Sequence, residues 1–257
     1  MKLEFMHPRS TRLAVMQPYP FPYIGYFELM ARVDRWVALD IVQYTKLSWM
    51  NRNRIQHPEH GWHYFTLPVK KAPHTTPVNE IRLADLEASK HKLLAQLQHY
   101  RRHAPHYGQV VDLVRDAFSR VDSDRLVDFN LASLRASAER LDIATALEPC
   151  SRLGLDLGGI EHAGQWSLRI AQQLGVDSYL NLPGGRGIFR PEEWKAAGVE
   201  LAFTEMNDLV YDCAPYVFEP NLSILDVLMW NDADDIRDWL RKRSGDDDHI
   251  HVGEKVA

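Results

Sequence analysis

Short apolar runs separated by amphipathic stretches recur along the chain, and this alternation predicts strands that exchange with helices. Residues 13–16 form the first apolar run, residues 26–32 have the character of a short helix, and residues 36–39 form a second apolar run. A strand, a helix and a second strand within so short a span indicate a βαβ unit, whose strands run parallel. Asp40 follows the second run, so we expect it at the same edge of the sheet as Gln17.

The loop between the first strand and the helix is rich in prolines and aromatic rings. It reads Gln17-Pro18-Tyr19-Pro20-Phe21-Pro22-Tyr23-Ile24-Gly25-Tyr26. Because proline fixes φ and restricts the residue before it, this loop has few conformations open to it. A stiff loop between a strand and a helix is a common ligand wall in α/β proteins, although it could equally cover a sheet edge.

The next part of the chain has a weaker pattern. Residues 43–55 are polar and aromatic and show no clean helical or strand period. Residues 62–69 are rich in aromatic and β-branched residues, which is typical of a strand. Residues 78–83 form a further extended segment, which could pair with that strand in an antiparallel arrangement.

Three amphipathic stretches then follow one another. Each has apolar residues at helical spacing, and they occupy residues 89–102, 107–120 and 124–141. Together they predict a helical insertion over about residues 89–141 in the middle of the chain. A strand is expected after it, at residues 143–146.

The last third alternates again between strands and helices. Gly175 follows a predicted helix over residues 160–174. The remaining elements are expected as strands at 178–182 and 199–203 and as helices at 191–197, 221–229 and 233–242. The whole pattern predicts an α/β fold with an open, mainly parallel sheet, flanking helices and the helical insertion. We expect a single domain over 12–243, a loose N-terminal extension over 1–11 and a mobile tail over 244–257.

Composition narrows the class of protein. Of the 257 residues, 45% are hydrophobic, which is enough for a large core, and the net charge of -5 supplies no basic field for nucleic acid. Two cysteines are too few for a disulfide framework, no apolar run reaches the length of a membrane span, and the first residues lack the apolar core of a signal peptide. We therefore expect a cytoplasmic protein with a small-molecule partner, without nucleic acid and without a membrane span.

A basic and amide-rich cluster follows the predicted ligand edge. Beside Trp49 it comprises Lys46, Asn51, Arg52, Asn53 and Arg54. A guanidinium group binds phosphate or carboxylate as a planar fork, and an ammonium group binds them as a point charge. A solvated basic loop is the alternative. We interpret the cluster as substrate-binding because it comes soon after the strand that ends at the ligand edge.

A glycine-rich segment ends another predicted strand and reads Pro183-Gly184-Gly185-Arg186-Gly187. Glycines there allow backbone N–H groups to approach an anion closely. Because no Lys-Ser or Lys-Thr pair follows, the segment is not a P-loop, and a plain glycine-rich turn is the alternative. Together with Asn181 at the strand end, Gly184 and Gly185 are expected to form the far side of a substrate pocket.

Other polar residues support no separate site. Pro105 interrupts the helix that would align His99, His103 and His106, so no metal site is predicted. Neither cysteine belongs to a recognisable Cys-His motif. Asp226 lies within an apolar helix, where an unpartnered carboxylate is costly, and we interpret it as structural.

Several of these segments resemble the WbqC-like protein family. The resemblance covers Met16-Gln17-Pro18-Tyr19, Phe21-Pro22-Tyr23-Ile24-Gly25-Tyr26-Phe27, Asp40-Ile41-Val42-Gln43-Tyr44, Trp49, Asn51-Arg52-Asn53-Arg54-Ile55, Leu67-Pro68-Val69, Lys90-His91, Tyr179-Leu180-Asn181-Leu182-Pro183-Gly184-Gly185 and Phe218-Glu219-Pro220-Asn221-Leu222-Ser223-Ile224-Leu225-Asp226. The family often has two acidic residues before the Val-Gln pair, and Ile41 takes the second of these places here. The resemblance implies a bacterial enzyme of O-antigen or other surface-polysaccharide biosynthesis. It further implies transfer of an aminoacyl group such as glycine to an amino sugar or a nucleotide sugar.

A more distant resemblance concerns Tyr23-Ile24-Gly25-Tyr26, which is laid out like the His-x-Gly-His element of nucleotidyltransferases and adenylate-forming ligases. Tyrosine takes both histidine places, and a phenol carries no positive charge near neutral pH. For an aminoacyl transferase we predict the catalytic residues Gln17, Tyr23, Tyr26 and Asp40. The alternatives are a nucleotidyltransferase-like or ATP-dependent amide-forming ligase, with ATP as cofactor, and a non-catalytic binding protein of the same pathway.

Overall fold

The computed structural model describes residues 11–205 and 209–245 of the chain. Its strands are β1 (Arg12–Met16), β2 (Arg35–Ala38), β3 (Arg52–Gln56), β4 (Trp62–Thr66), β5 (Ala146–Pro149), β6 (Ser178–Asn181) and β7 (Glu200–Phe203). Its α-helices are α1 (Ile24–Met30), α2 (Leu86–Gln96), α3 (Tyr107–Ser119), α4 (Leu126–Arg140), α5 (Gln165–Leu174), α6 (Pro191–Ala197), α7 (Ile224–Trp230) and α8 (Ala233–Gly245). Short 3-10 helices lie at Trp49–Asn51, Val78–Glu80, Leu97–Arg102, Cys150–Arg152 and Pro183–Ile188.

Five strands form a parallel sheet in the order β5-β2-β1-β6-β7. The chain starts with β1 in the middle, moves outward through β2 to β5, and then returns to β6 on the other side of β1. This reversal lies between β1 and β6, which pair with Leu13 opposite Tyr179. At such a reversal the carboxyl ends of the strands flank a crevice that binds ligands in open α/β sheets. The predicted α/β class with a mainly parallel sheet and flanking helices is confirmed.

The central strand β1 is covered on both faces. Leu13 and Val15 share a core with Ile170 and Trp194, whereas Ala14 belongs to the core on the opposite face. Since the side chains of a strand alternate between faces, a strand with helices on both sides needs a continuous apolar run. This requirement explains why residues 13–16 are all apolar and do not alternate with polar residues.

Helices α2, α3 and α4 form the predicted helical insertion between β2 and β5. Leu97, Phe118 and Phe129 from this insertion are buried in one core together with the apolar faces of α1 and α7. Helix α4 also contacts the loop before α1, where Asn130 donates a hydrogen bond to the carbonyl oxygen of Pro18 (3.0 Å). The insertion therefore supports the edge of the sheet that carries the candidate site.

Residues 43–55 show no clean period in the sequence, yet their last part is a strand. β3 pairs antiparallel with β4 as a separate two-stranded ribbon, in which Arg54 lies opposite Tyr64. Asn53 and Ile55 are buried on the inner face, whereas the arginines of β3 lie along aromatic rings on the outer face. Because polar residues occupy both faces of β3, hydrophobic and polar residues do not alternate along it. The hydrophobicity pattern of the sequence therefore does not reveal this strand.

Several further boundaries differ from the sequence predictions. The helix expected over 160–174 begins only at Gln165, and the strand expected over 143–146 occupies Ala146–Pro149. The segment 78–83 begins with a 3-10 turn, and its antiparallel pairing with the segment 62–69 is limited to the bridge between Val69 and Leu83. These differences shift element ends and leave the order of elements along the chain as predicted.

The ends of the chain lie mostly beyond the described part. Residues 1–10 of the predicted extension and residues 246–257 of the predicted tail lie outside the described residues. Within the ranges 11–205 and 209–245, no helix has both the length and the apolar composition needed to cross a membrane.

The buried carboxylate of Asp226 is partnered by two phenols. The hydroxyl of Tyr100 donates to its Oδ1 and the hydroxyl of Tyr211 to its Oδ2 (2.5 Å). Tyr100 in turn accepts the backbone N–H of Gln56 (2.8 Å), which ties α7 to β3. Burial raises the pKa of Asp226 and outweighs the opposing effect of the two phenol hydrogen bonds. These contacts support the interpretation of Asp226 as structural.

The stability of the Asp226→Asn variant is expected to rise relative to that of the native protein as the pH rises. A carboxyl group whose pKa is raised by folding stabilises the folded state while it is protonated, below its ordinary value of 3.8. That contribution is lost as the pH rises through the folded value, and asparagine does not titrate. Urea unfolding of both proteins from acid to neutral pH measures the difference in free energy of unfolding. A difference that does not change with pH would contradict the raised pKa.

Candidate functional site

A cavity of about 750 Å³ opens at the carboxyl ends of β1 and β6. Met16 and Gln17 continue from β1 into its wall, Asn181 and Leu182 do so from β6, and Leu39 follows β2. The cavity thus lies at the reversal between β1 and β6, where open α/β sheets leave a ligand crevice. Its volume is in the range typical of small-molecule sites.

Aromatic, apolar and amide groups dominate the walls of the cavity. The lining residues are Val15, Met16, Gln17, Tyr19, Tyr23, Tyr26, Leu39, Val42, Gln43, Trp49, Asn53, Arg54, Ala163, Trp166, Ser167, Asn181, Leu182, Gly184, Gly185, Ile188, Phe189 and Asn221. Within this described lining, Arg54 is the one side chain that carries a charge near neutral pH. The cavity is therefore complementary to a ligand that combines rings and hydroxyl groups with a negative charge.

A buried amide holds the loop over residues 17–23 in place. Nδ2 of Asn53 donates to the carbonyl oxygens of Phe21 (2.6 Å) and Pro20 (3.2 Å), and its Oδ1 accepts the backbone N–H of Arg54 (2.8 Å). Phe21 has a φ of 44°, a conformation that is unfavourable for residues other than glycine. The hydrogen bonds of Asn53 help to compensate this strain, so Asn53 shapes the wall of the cavity through the loop.

Two further side chains complete this support of the loop. Asn130 of α4 donates to the carbonyl oxygens of Pro18 (3.0 Å) and Met50 (2.8 Å), and Ser223 donates to that of Phe21 (2.7 Å). The helical insertion and the segment before α7 therefore both form hydrogen bonds with the loop over residues 17–23. Because its carbonyl groups are already partnered, the wall is formed before any ligand binds.

Three tyrosines from the loop and α1 pack ring against ring along this wall. The ring centroids of Tyr19 and Tyr26 lie 4.8 Å apart, and those of Tyr23 and Tyr26 lie 5.9 Å apart. The hydroxyl of Tyr26 donates to the carbonyl oxygen of Gln17 (3.0 Å). Burial raises the pKa of Tyr23 to about 12 and the pKa values of Tyr19 and Tyr26 well above the usual range. The phenols therefore stay protonated near neutral pH and act as hydrogen-bond donors.

Gly25 is required for the position of the Tyr23 ring. A Cβ atom at residue 25 would lie 2.5 Å from Cε2 and 2.8 Å from the hydroxyl oxygen of Tyr23. Gly25→Ala is expected to displace this ring and weaken ligand binding in the cavity. The free energy of unfolding should change little. Alanine is favoured over glycine in a helix by about 1 kcal/mol, and this gain offsets the cost of displacing the ring.

Titration calorimetry and thermal unfolding of Gly25→Ala test this prediction. Gly108→Ala in α3 is the matched control, since no atom lies within 4 Å of a Cβ built at that position. Equal ligand affinity in the two variants would show that the Tyr23 ring does not contribute to the wall.

Arg54 brings a positive charge to the cavity. Its guanidinium group lies over the indole rings of Trp49 (5.2 Å to the centroid) and Trp62 (4.9 Å), and it donates to the carbonyl oxygen of Asn221 (3.0 Å). No carboxylate in the described part of the chain forms an ion pair with it. The rings hold the cation in place without neutralising it, so its charge remains available to a phosphate or carboxylate.

The far wall follows the end of β6. Oδ1 of Asn181 accepts the backbone N–H of Leu182 (2.7 Å), which orients the amide at the strand end. A Cβ at Gly185 would lie 3.1 Å from Nδ2 of Asn181, so a glycine permits this close approach. Gly184 and Gly185 both lie in the 3-10 turn Pro183–Ile188, which borders the cavity.

The cavity brings most of the predicted site residues together. These are Gln17, Tyr23, Tyr26, Asn53, Arg54, Asn181, Gly184 and Gly185. The predicted residue Asp40 lies outside the lining, is fully buried, and accepts the backbone N–H (2.9 Å) and the hydroxyl (2.6 Å) of Ser151. Lys46 is exposed and also lies outside the lining.

Asn51 and Arg52 lie outside the lining as well. Asn51 is buried and donates to the carbonyl oxygen of Leu67 (2.9 Å). The guanidinium group of Arg52 donates to the carbonyl oxygen of Leu47 and lies 4.0 Å from the ring centroid of Tyr64. Of the predicted basic cluster, Asn53 and Arg54 therefore line the cavity, whereas Arg52 shares the outer face of the ribbon with Arg54 but does not reach the lining.

Sequence reasoning missed the wall contributed by α5. Trp166 and Ser167 in its first turn line the cavity, and Ser167 accepts a hydrogen bond from the hydroxyl of Tyr179 (3.0 Å). A helix that leads from β5 to the parallel strand β6 must begin at the carboxyl edge of the sheet. The predicted topology therefore contained a signal for these residues, whereas helical spacing alone assigns Trp166 to a core.

Comparison with known proteins identifies a family and a similar protein. The model of the WbqC-like protein family matches residues 17–238, a range that contains every lining residue except Val15 and Met16. The chain is also similar to the uncharacterized protein Rv1507c of Mycobacterium tuberculosis, with 27% identity over 232 residues that cover 90% of this chain and 97% of the relative. No solved structure matches the chain.

Proposed function

The chain belongs to the WbqC-like protein family, and we propose that it transfers an aminoacyl group such as glycine to an amino sugar carried by a nucleotide. Membership in this family suggests an association with polysaccharide biosynthesis. The observation that carries the proposal is Arg54, whose guanidinium group lacks a carboxylate partner among the described residues and lines a cavity of otherwise uncharged groups. A nucleotide-linked sugar offers the matching parts, namely rings, hydroxyl groups and a diphosphate.

The walls of the cavity support the binding of each part. The diphosphate would accept hydrogen bonds from the guanidinium fork of Arg54. The amides of Gln17 and Asn181 are suited to sugar hydroxyl groups, because an amide can both donate and accept. The tyrosine wall supplies apolar ring surface and the phenol donor of Tyr23.

The proposed reaction forms an amide bond. The amine nitrogen of the sugar attacks the carbonyl carbon of an activated aminoacyl donor, and the bond from that carbon to the leaving group breaks with its electron pair. The amine proton passes to water or to the leaving group. Negative charge develops on the carbonyl oxygen, and the phenol donor of Tyr23 is suited to stabilise it. The raised pKa of Tyr23 favours this role because the phenol keeps its proton.

A non-catalytic binding protein of the same pathway is the second candidate. It is favoured by the chemistry of the described lining, which offers amides, phenols, the hydroxyl of Ser167 and one guanidinium group but no carboxylate, imidazole or thiol. A base for the amine would then have to come from the substrate or from water. An ATP-dependent ligase or nucleotidyltransferase has less support, because Lys46 and Asp40 lie away from the lining.

A binding panel followed by product analysis tests the proposal on the full chain. Thermal shifts with UDP-glucosamine, UDP, glucosamine and glycine should be largest for the intact nucleotide sugar. Mass spectrometry then tests for the glycylated sugar, with a glycyl thioester in one reaction and with glycine and ATP in another. Product with the thioester supports the transferase, and product only with ATP supports the ligase. Binding without product supports the second candidate, and no shift with any nucleotide sugar would contradict the proposal.

A further inference from the structure

Arginines and aromatic rings share the outer face of the ribbon formed by β3 and β4. Arg52 and Arg54 are two residues apart on β3 and therefore point to the same side. The guanidinium group of Arg52 lies 4.0 Å from the ring centroid of Tyr64, and that of Arg54 lies 4.9 Å from the ring of Trp62. The rings of Trp62 and Tyr64 are themselves 5.0 Å apart. The face is thus a continuous layer of rings and cations.

This layer is open to solvent although it is aromatic. Trp62 is 38% exposed and Trp49 is 45% exposed, whereas Trp36 and Trp194 in the two cores are each 1% exposed. Neither arginine of β3 forms an ion pair with a carboxylate within the described ranges. Open indole rings beside cations that no acid neutralises are suited to a planar, anionic ligand.

The layer leads directly into the cavity. Trp49 and Arg54 belong to both, since they line the cavity and contact the ribbon. The ring centroid of Trp49 lies 6.0 Å from that of Tyr64 on the ribbon and 6.4 Å from that of Tyr19 in the tyrosine wall. A ligand can therefore extend from the cavity along the ribbon without leaving aromatic surface.

We propose that this face, defined by Trp49, Arg52, Arg54, Trp62 and Tyr64, is the subsite for the nucleoside diphosphate of the substrate. The inference rests on the proposed function and assigns the two halves of its substrate to two places. The sugar lies in the cavity among the amides, the diphosphate lies between the two arginines, and the nucleobase stacks on the open rings. Base stacking on aromatic side chains is tolerant of base identity, so we expect UDP and GDP to bind with similar affinity.

A single-stranded nucleic acid would use the same chemistry, and the overall charge argues against it. Binding to a polyanion gains affinity from many cations along its backbone. This face has two arginines, and the chain carries a net charge of -5. One diphosphate matches two arginines better than a chain of phosphates does.

Calorimetry with UDP and with glucosamine 1-phosphate tests the assignment on the full chain. Trp62→Ala should weaken UDP binding by about tenfold to a hundredfold, because it removes a stacking ring. It should weaken the binding of glucosamine 1-phosphate much less, since Trp62 does not line the cavity and Arg54 keeps its contacts with Trp49 and Asn221. Arg52→Ala is the second variant, because it leaves the ring contacts of Arg54 in place, and it should also weaken UDP binding. Arg115→Ala, an exposed arginine on α3, is the matched control and should bind both probes normally.

The outcomes separate this inference from the function on which it rests. Unchanged UDP affinity in both Trp62→Ala and Arg52→Ala, with nucleotide sugar still bound, would overturn the subsite and leave the proposed function standing. Failure of the native protein to bind any nucleotide sugar would overturn the proposed function itself. Tighter binding of oligouridylate than of UDP, lost in Trp62→Ala, would assign the face to nucleic acid and overturn the inference.

Discussion

Arg54→Ala is expected to weaken the binding of UDP-glucosamine by about tenfold to a hundredfold. A hydrogen bond to a charged group contributes about 1.5–3 kcal/mol, and each 1.4 kcal/mol corresponds to a factor of ten in affinity. Arg54 makes its protein contacts with two indole rings and a backbone carbonyl, so its removal leaves no buried carboxylate unpaired. Titration calorimetry measures the loss directly, and circular dichroism confirms that the variant is folded.

Two variants control this measurement. Arg54→Lys keeps the charge but loses the planar fork, so it should recover only part of the affinity. Arg115→Ala removes the same type of side chain from a position on α3, where Arg115 pairs with Asp112, and it should bind like the native protein. Native affinity in Arg54→Ala would remove the main support for an anionic ligand in the cavity.

Asn53→Ala is expected to destabilise the protein by about 3 kcal/mol, the largest loss of stability that we predict for a site residue. It leaves the buried carbonyl oxygen of Pro20 and the N–H of Arg54 without their partner, whereas the carbonyl oxygen of Phe21 keeps the hydrogen bond from Ser223 (2.7 Å). Each unsatisfied buried group costs about 1–3 kcal/mol. The strained φ of Phe21 would lose part of its support as well. Urea unfolding measures the loss, and ligand affinity should fall with it because the loop forms the cavity wall.

Asn51→Ala provides the comparison for Asn53→Ala. Both asparagines are buried, but Asn51 makes a single side-chain hydrogen bond, to Leu67, and its Oδ1 has no partner in the described structure. We expect a loss of about 1 kcal/mol for Asn51→Ala. Equal losses in the two variants would contradict the role of Asn53 as the residue that holds the loop.

The position of the candidate site was predictable where it depends on strand order. β1 ends directly before Gln17 and β6 ends at Asn181, and parallel strands place their carboxyl ends at one edge. The proline-rich loop had to leave that edge, so its tyrosines were expected there. For these residues, the local sequence pattern and the sheet topology predict the same position at the carboxyl edge of the sheet.

The roles of individual polar residues were not predictable in the same way. Asp40 was expected at the correct edge, but Ser151, which is distant in sequence, supplies the hydrogen bonds that occupy its carboxylate. Arg52 and Arg54 look alike in sequence, and only the position of the ribbon beside the sheet decides which of them reaches the cavity. Such contacts depend on tertiary packing, which neither propensity nor spacing encodes.

The most direct test of the central claim is a crystal structure of the protein with UDP-glucosamine. We expect density for the sugar between the carboxyl ends of β1 and β6, with the diphosphate within hydrogen-bonding distance of the guanidinium group of Arg54. Density for the ligand at another surface, with this cavity holding only solvent, would contradict the account.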